Sequence, residues 1–185
     1  MPADHYYEQA NPDLLYRIPV TARAVLEVGC GSGALGREFK AINPSCTYIG
    51  VELMPEPASN ARNVLDHVIE GNINELKLDK LPGNTTQVDC LVFGDVLEHL
   101  INPEQVLSQL LSLLKDTGDV LICIPNVQHW SVIASLLAGK WPQEDQGIFD
   151  RTHLRWFTKN SIINYFGYPR RRKVNEHFFG SMCKP

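Results

Sequence analysis

Long apolar runs are missing from this 185-residue chain. No stretch approaches the roughly 20 consecutive apolar residues of a membrane-spanning helix, so no membrane partner is expected. The opening residues MPADHYYEQANPD lack the apolar centre of a secretory leader. Basic residues are not in excess: 17 Lys and Arg face 21 Asp and Glu, giving a net charge of −4. That balance argues against a general nucleic-acid binder, and the run Arg170-Arg171-Arg172-Lys173 reads as a solvated charge run. Cysteine is sparse and unpaired. Cys30, Cys46, Cys90, Cys123 and Cys183 form no C-x-x-C pair, and their odd number fits reduced thiols in a cytoplasmic protein. Internal repeats and low-complexity segments are absent.

What is present is an ordinary globule, with 44% hydrophobic and 21% charged residues, of a length that suits one domain. AVLEV (24–28) is an apolar run ended by glycine and predicts a buried strand. A helix is expected from Ala34 to Ile42, where Asn43-Pro44 stops it. TYIGVE (47–52) predicts a second strand, Pro55 to Asp66 a helix, and HVIEGN (67–72) a short third strand. VDCLVFGD (88–95) predicts strand four. PEQVLSQLLSLLK (103–115) predicts a helix, with proline in its first turn. GDVLICIPN (118–126) predicts strand five. Strands alternating with helices imply parallel pairing through helical crossovers, and continuous apolar strands imply a sheet covered on both faces. The expected fold is α/β, a Rossmann-like doubly wound sheet with ligands at the carboxyl ends of the strands.

The stretch VLEVGCGSGALG (25–36) follows the first strand with four glycines in eight residues. Gly29, Gly31 and Gly33 lie between strand and helix, where a ligand can touch bare main chain and the helix start offers free N–H groups. Gly31, Gly33 and Gly36 also spell the G-x-G-x-x-G dinucleotide pattern. Glu52, ending strand two, suits ribose hydroxyls for either a dinucleotide or another nucleoside cofactor. Glu27 separates the two. A carboxylate just before the glycines is unhelpful to a pyrophosphate and favourable to an ammonium group. An NAD(P)-dependent oxidoreductase is therefore the alternative that Glu27 weighs against.

VLEVGCGSG closely resembles motif I of class I S-adenosylmethionine-dependent methyltransferases. YIGVE resembles their second motif, Gly71-Asn72 their adenine-contacting position, and FGDVLEHL (93–100) their fourth-strand motif. IPNVQHW (124–130) is similar to the end of their fifth strand. DRTHLRWFT (150–158) resembles a later segment in methyltransferases of polysaccharide and O-antigen gene clusters, some fused to glycosyltransferases. The resemblance covers roughly residues 5 to 168, with the motifs in order.

The resemblance implies S-adenosylmethionine as cofactor and S-adenosylhomocysteine as product. Glu27, Gly29, Cys30, Gly31 and Gly33 would line the methionine end. Glu52 and Leu53 would hold ribose and cover adenine, Asn72 and Ile73 would bracket adenine, and Asp95 would lie near the sulfonium. It also implies one methyltransferase domain: an N-terminal lid segment (1–22) carrying Tyr6 and Tyr7, a cofactor core (23–126), and a substrate-side and C-terminal segment (127–185). The expected acceptor is a small molecule or carbohydrate, methylated at oxygen.

Methyl transfer needs an aligned nucleophile and a base. His99 and His153 are the expected catalytic groups, with His129 a further histidine on the same rim. Asp95, Glu98 and His99 have the i, i+3, i+4 spacing of one helical face. Ubiquinone-pathway O-methyltransferases and small-RNA 2′-O-methyltransferases have a similar acid-x-x-Glu-His pattern that binds a divalent metal. A metal held by these three residues and His153 is thus an open alternative to hydrogen bonding that shapes the pocket, as is a metal-assisted RNA methyltransferase. In the second reading His153 bonds within its own turn, where Asp150, Arg151 and Arg155 pair. Trp130, Trp141, Phe149, Trp156 and Phe157 are expected to wall a substrate pocket or cover the sheet's end. After Phe166 only KVNEHFF (173–179) reads as a strand, so a seventh strand is missing from the family pattern. A second copy of the chain or an attached downstream domain would cover that edge. The remaining alternative is a non-catalytic module of a larger enzyme.

Overall fold

The structure, a computed structural model, describes residues 10–166. Tyr6, Tyr7, the Arg170–Lys173 run, the KVNEHFF segment and Cys183 lie outside the described residues.

The elements run α1 (Pro12–Leu15), β1 (Ala24–Val28), α2 (Ala34–Ile42), β2 (Thr47–Glu52), α3 (Pro55–Ala61) and β3 (His67–Glu70). They continue with β4 (Val88–Gly94), a 3-10 turn (Leu97–His99), α4 (Pro103–Leu111), β5 (Leu114–Cys123), α5 (Trp130–Leu137) and α6 (Lys159–Phe166). The five strands form one sheet in the order β3-β2-β1-β4-β5, and every pairing is parallel. Chain direction across the sheet reverses between β1 and β4. In such sheets the crevice beyond the strands' carboxyl ends at that point receives ligand. The expected doubly wound α/β sheet is thus the observed one.

Strand alternation sorts the core into two layers. Ala24, Leu26 and Val28 join Ile49, Val51, Leu91 and Phe93 beneath α4 and α6. Val25, Tyr48, Cys90 and Val92 turn the other way, against Leu14 and Ile18 of the N-terminal segment and Leu35 and Phe39 of α2. All five residues of β1 are buried, which explains why its sequence lacks a polar alternation.

Several element ends differ from the sequence expectation. The helix expected to Asp66 stops at Ala61, because Asn63, Val64 and Leu65 turn down to bring Asp66 beside Tyr48, whose amide donates to its carboxylate at 2.7 Å. β3 ends at Glu70, since the Asn72 carbonyl already accepts from Glu75 and Leu76 in a turn. β4 ends at Gly94 rather than Asp95. The helix expected to Lys115 stops at Leu111, and β5 begins at Leu114 rather than Gly118 and closes at Cys123 rather than Asn126. No glycine or proline marks that change. Pairing sets it: Val88 N–H donates to Leu113 O at 2.8 Å, and Lys115 reaches Asp89 at 2.6 Å.

Candidate functional site

The glycine turn sits at the carboxyl end of β1 and is pulled toward β2. The amides of Gly29 and Cys30 both donate to Val51 O, at 2.8 and 3.1 Å. Gly29 adopts φ +74°, and a Cβ there would lie 2.3 Å from Val96 Cγ2. Close approach from the β4 side therefore requires glycine. Gly36 has a packing cause: a Cβ would lie 2.4 Å from Leu65 and 2.7 Å from the Tyr48 ring. The third glycine of the dinucleotide-like pattern is thus accounted for without a ligand.

Two carboxylates flank the turn. Glu52, 6% exposed, accepts from Gly31 N–H at 2.8 Å through Oε2 and from Met54 N–H at 2.9 Å through Oε1. One side chain thereby ties the glycine turn to the loop after β2 and keeps further lone pairs. Glu27 lies inside the end of β1, 5% exposed. Its Oε2 accepts from the Tyr48 hydroxyl at 3.0 Å. Burial pushes its carboxyl up to about 8; the Tyr48 hydrogen bond opposes the shift and the Glu52 charge adds to it. Cys30, buried beside both acids, is raised by burial first and then by their negative charge, which keeps the thiol protonated and inert.

Gly50 is paired opposite Glu27, and a Cβ there would meet Cys30 Sγ at 2.4 Å. The missing side chain lets the glycine turn fold across β2. Tyr48, Gly50 and Glu52 share the strand face onto which Glu27 points. Tyr48 is the residue that motif reading missed, though period-two alternation in TYIGVE carries the signal.

The other residues expected at the cofactor lie along the same rim. Leu53 is 58% exposed just beyond β2. Asn72 Oδ1 accepts from Asn74 N–H at 3.1 Å, and its amide donates to Glu75 at 2.8 Å. Ile73 is buried among the α4-side core residues.

Asp95 follows β4 with φ +52°, unusual for a residue with a Cβ. Its amide donates to Cys123 O at 3.0 Å. The turn that follows is a 3-10 turn beginning at Leu97, so the helical face expected from Asp95 onward does not form. Glu98, His99 and His153 each offer one donor atom within 4.8 Å of the others, and Asp95 is outside that group. Glu98 is 1% exposed, and neither of its carboxyl oxygens has a hydrogen-bond partner. His153 Nε2 stands 3.9 Å away, beyond hydrogen-bond length. Burial, then the Asp95 charge, raises the Glu98 carboxyl well above its ordinary value. Burial and the neighbouring His99 lower the His153 imidazole, with Asp150 opposing.

The segment 150–155 is stitched onto this turn. Leu154 N–H donates to Glu98 O at 2.9 Å. The Arg155 guanidinium donates to Leu100 O and, at 2.6 Å, to Ile101 O. Asp150, Arg151 and Arg155 do not pair with one another as expected. Arg151 meets Asp145 at 2.9 Å, and Asp150 accepts from the Thr152 hydroxyl at 2.6 Å. Sequence reading missed Thr152 and the carbonyl clamp of Arg155, because contacts across more than fifty residues leave no local pattern.

The aromatic residues of 130–157 divide. Trp141 packs edge-on against Phe149 and Trp156, with centroids 5.2 and 5.6 Å apart. Phe157 is buried against Tyr165. Trp130 is 72% exposed beside His129, whose Nδ1 lies 2.8 Å from Ser131 Oγ.

A parallel sheet with a glycine turn between two buried carboxylates at its reversal point defines a nucleoside-cofactor α/β domain. The profile of the family described as "Methyltransferase domain" matches residues 3–167, and the chain belongs to that family. Over 104 residues it is 34% identical to the malonyl-[acyl-carrier protein] O-methyltransferase of Halalkalibacterium halodurans, covering 54% of this chain and 38% of that protein. Over 164 residues it is 26% identical to the ubiquinone biosynthesis O-methyltransferase of Shewanella pealeana, covering 83% and 67%. The chain spans between 30% and 67% of the length of the curated relatives it matches. A SAM-dependent methyltransferase from Thermotoga maritima shares the fold at a TM-score of 0.60 and 18% identity, over 84% of this chain and 66% of that one. The plantazolicin methyltransferase BpumL in complex with SAH does so at 0.59 and 18%, over 86% and 57%. Among the described residues no helix is long and apolar enough to cross a membrane.

Proposed function

We propose that the chain transfers a methyl group from S-adenosylmethionine to a hydroxyl of a small molecule or carbohydrate. The observation that carries this reading is the pair of buried carboxylates, Glu27 and Glu52, on either side of the glycine turn. Glu27 receives the α-ammonium of the cofactor's amino-acid end, beside the backbone of Gly29, Cys30, Gly31 and Gly33. Glu52 accepts from the ribose hydroxyls with the lone pairs that Gly31 and Met54 leave over. Leu53, Asn72 and Ile73 enclose adenine, and Asp95 lies near the sulfonium.

The methyl carbon passes from sulfur to the acceptor oxygen in an in-line displacement, and the hydroxyl proton passes to an imidazole. His99 and His153 serve there as base and orienting group. His153 is kept neutral at ordinary pH by its burial and by His99, so it retains a lone pair. The similarity to two O-methyltransferases supports oxygen as the acceptor atom. The resemblance of DRTHLRWFT to O-antigen methyltransferases supports a carbohydrate. The domain division at residues 22 and 126, and a downstream domain or second copy at the sheet edge, belong to the same reading.

Thermal protection tests it: S-adenosylhomocysteine raises the melting temperature and NADH does not. Protection by NADH alone returns the site to a dinucleotide enzyme. In a methyl-transfer assay, His99→Ala and His153→Ala lower the rate; equal rates remove the two histidines from the chemistry.

The unpartnered oxygens of Glu98 favour a second reading. A carboxylate and two imidazoles suit a divalent cation that polarises a hydroxyl, and Glu98, His99 and His153 would hold it. Loss of turnover in EDTA supports this reading, and unchanged turnover removes it.

A further inference from the structure

We infer that Thr152, held by Asp150, is a positioning residue that fixes His99 in the Nδ1–H tautomer and so leaves Nε2 with the lone pair. The inference rests on the reading of His99 as a group facing the acceptor, and it adds which atom acts and what directs it.

His99 Nδ1 lies 3.1 Å from Thr152 Oγ1 and 3.4 Å from Thr152 O. The backbone carbonyl can only accept. The hydroxyl can donate or accept, but it has one hydrogen, and that hydrogen is engaged: Thr152 Oγ1 stands 2.6 Å from Asp150 Oδ1. Asp150 Oδ1 also accepts from Thr152 N–H at 2.7 Å. Two donors from Thr152 thus converge on Asp150 Oδ1, an arrangement that favours the ionised carboxylate. An ionised carboxylate has no hydrogen to return. Both oxygens presented to Nδ1 therefore act as acceptors, and the hydrogen between them belongs to the imidazole. A neutral imidazole with hydrogen on Nδ1 has its lone pair on Nε2.

The geometry is supported from outside. His153 N–H donates to Asp150 O at 3.1 Å, and Leu154 N–H donates to Glu98 O at 2.9 Å. The turn that carries Thr152 is thus fastened to the turn that carries His99. The ring of His153 stands edge-on to His99 with centroids 4.7 Å apart, which limits the angles His99 can adopt. A carboxylate that fixes a histidine's tautomer through a hydrogen bond is a known way to aim the opposite nitrogen at a reacting hydroxyl.

The test is nitrogen-15 spectroscopy of the full chain labelled on its histidines, in EDTA, about two pH units above the ordinary histidine value. His99→Gln assigns the signals. In the wild type, His99 shows a protonated Nδ1 and an unprotonated Nε2. Thr152→Val shifts the population toward the other tautomer, and Thr152→Ser restores it. Asp150→Ala does the same as Thr152→Val by a separate route, because it removes the acceptor and frees the Thr152 hydrogen to point at Nδ1; it serves should the valine variant fail to fold. A wild-type His99 protonated on Nε2 overturns the inference. A tautomer unchanged in both Thr152→Val and Asp150→Ala overturns the role of the two side chains. S-adenosylhomocysteine affinity, measured on the same samples, stays within twofold across the variants. Its absence in the wild type removes the cofactor reading while the spectrum still reports the tautomer.

Discussion

The Tyr48 hydroxyl donates to Glu27 Oε2 across 3.0 Å, joining β2 to β1 inside the sheet's central pair. Both residues are buried, so the bond is shielded from water and Glu27 is aimed at the glycine turn before any ligand arrives. Removing the hydroxyl with Tyr48→Phe takes away one donor to a carboxylate that must be charged when an ammonium binds. Such bonds contribute about 1.5–3 kcal/mol. Affinity for S-adenosylhomocysteine, read by calorimetry, should fall about tenfold or more, with little loss of fold.

Glu27 also makes stability depend on pH. Burial raises its carboxyl from 4.5 to about 8, so between those values the folded chain holds a proton that the unfolded chain has released. Stability then falls as pH rises through that window, by at most about 1.4 kcal/mol per pH unit for one proton. Glu27→Gln has no proton to exchange. Its melting temperature should decline less than the wild type's from pH 5 to 8, and parallel curves for the two proteins would count against the shift. An ammonium favours the ionised carboxyl, so S-adenosylhomocysteine binding below pH 8 should release protons, and that release should be smaller in the variant.

Gly29→Ala meets two obstacles: φ +74° and Val96 Cγ2 at 2.3 Å from the new Cβ. The backbone conformation alone costs about 1–2 kcal/mol for a residue with a side chain. Denaturant unfolding should show a loss larger than that. Adding Val96→Ala should recover the steric part and leave the backbone part. A double variant no more stable than Gly29→Ala would mean that Val96 is not what crowds the turn.

Arg155 clamps the carbonyls of Leu100 and Ile101. Arg155→Met keeps the stem and removes the donors. It should cost about 1–3 kcal/mol, with faster amide exchange in residues 97–101 and 150–155 and little change at β1 and β2. Uniform change across the sheet would show that Arg155 acts on the whole fold instead.

The strands were legible wherever an apolar run met a glycine or an acid. β1, α2 and β2 keep their expected bounds because Gly29, Asn43-Pro44 and Glu52 punctuate them. The junction of α4 with β5 was not legible, because Ser112, Leu113 and Leu114 continue a helical spacing and only pairing with Val88 breaks it. Glu27, Glu52 and the glycines could be read because their chemistry is local. Tyr48 was readable only by following strand faces. Asp95 was expected on a helical face with Glu98 and His99, but the chain takes φ +52° there and turns late. Thr152 and Arg155 reach partners more than fifty residues away, which a single sequence does not display.

The central claim is that Glu27 reads the amino-acid end of a sulfur-bearing nucleoside. Its most direct test is calorimetric titration of the wild type and Glu27→Gln with S-adenosylhomocysteine and with 5′-methylthioadenosine, which keeps the nucleoside and lacks the ammonium. The account predicts that the wild type prefers S-adenosylhomocysteine by at least about a hundredfold, on the order of 2.7 kcal/mol. It also predicts that Glu27→Gln loses most of that preference while binding 5′-methylthioadenosine unchanged. Equal preference in the two proteins, or tighter binding of NADH than of either nucleoside, would contradict it.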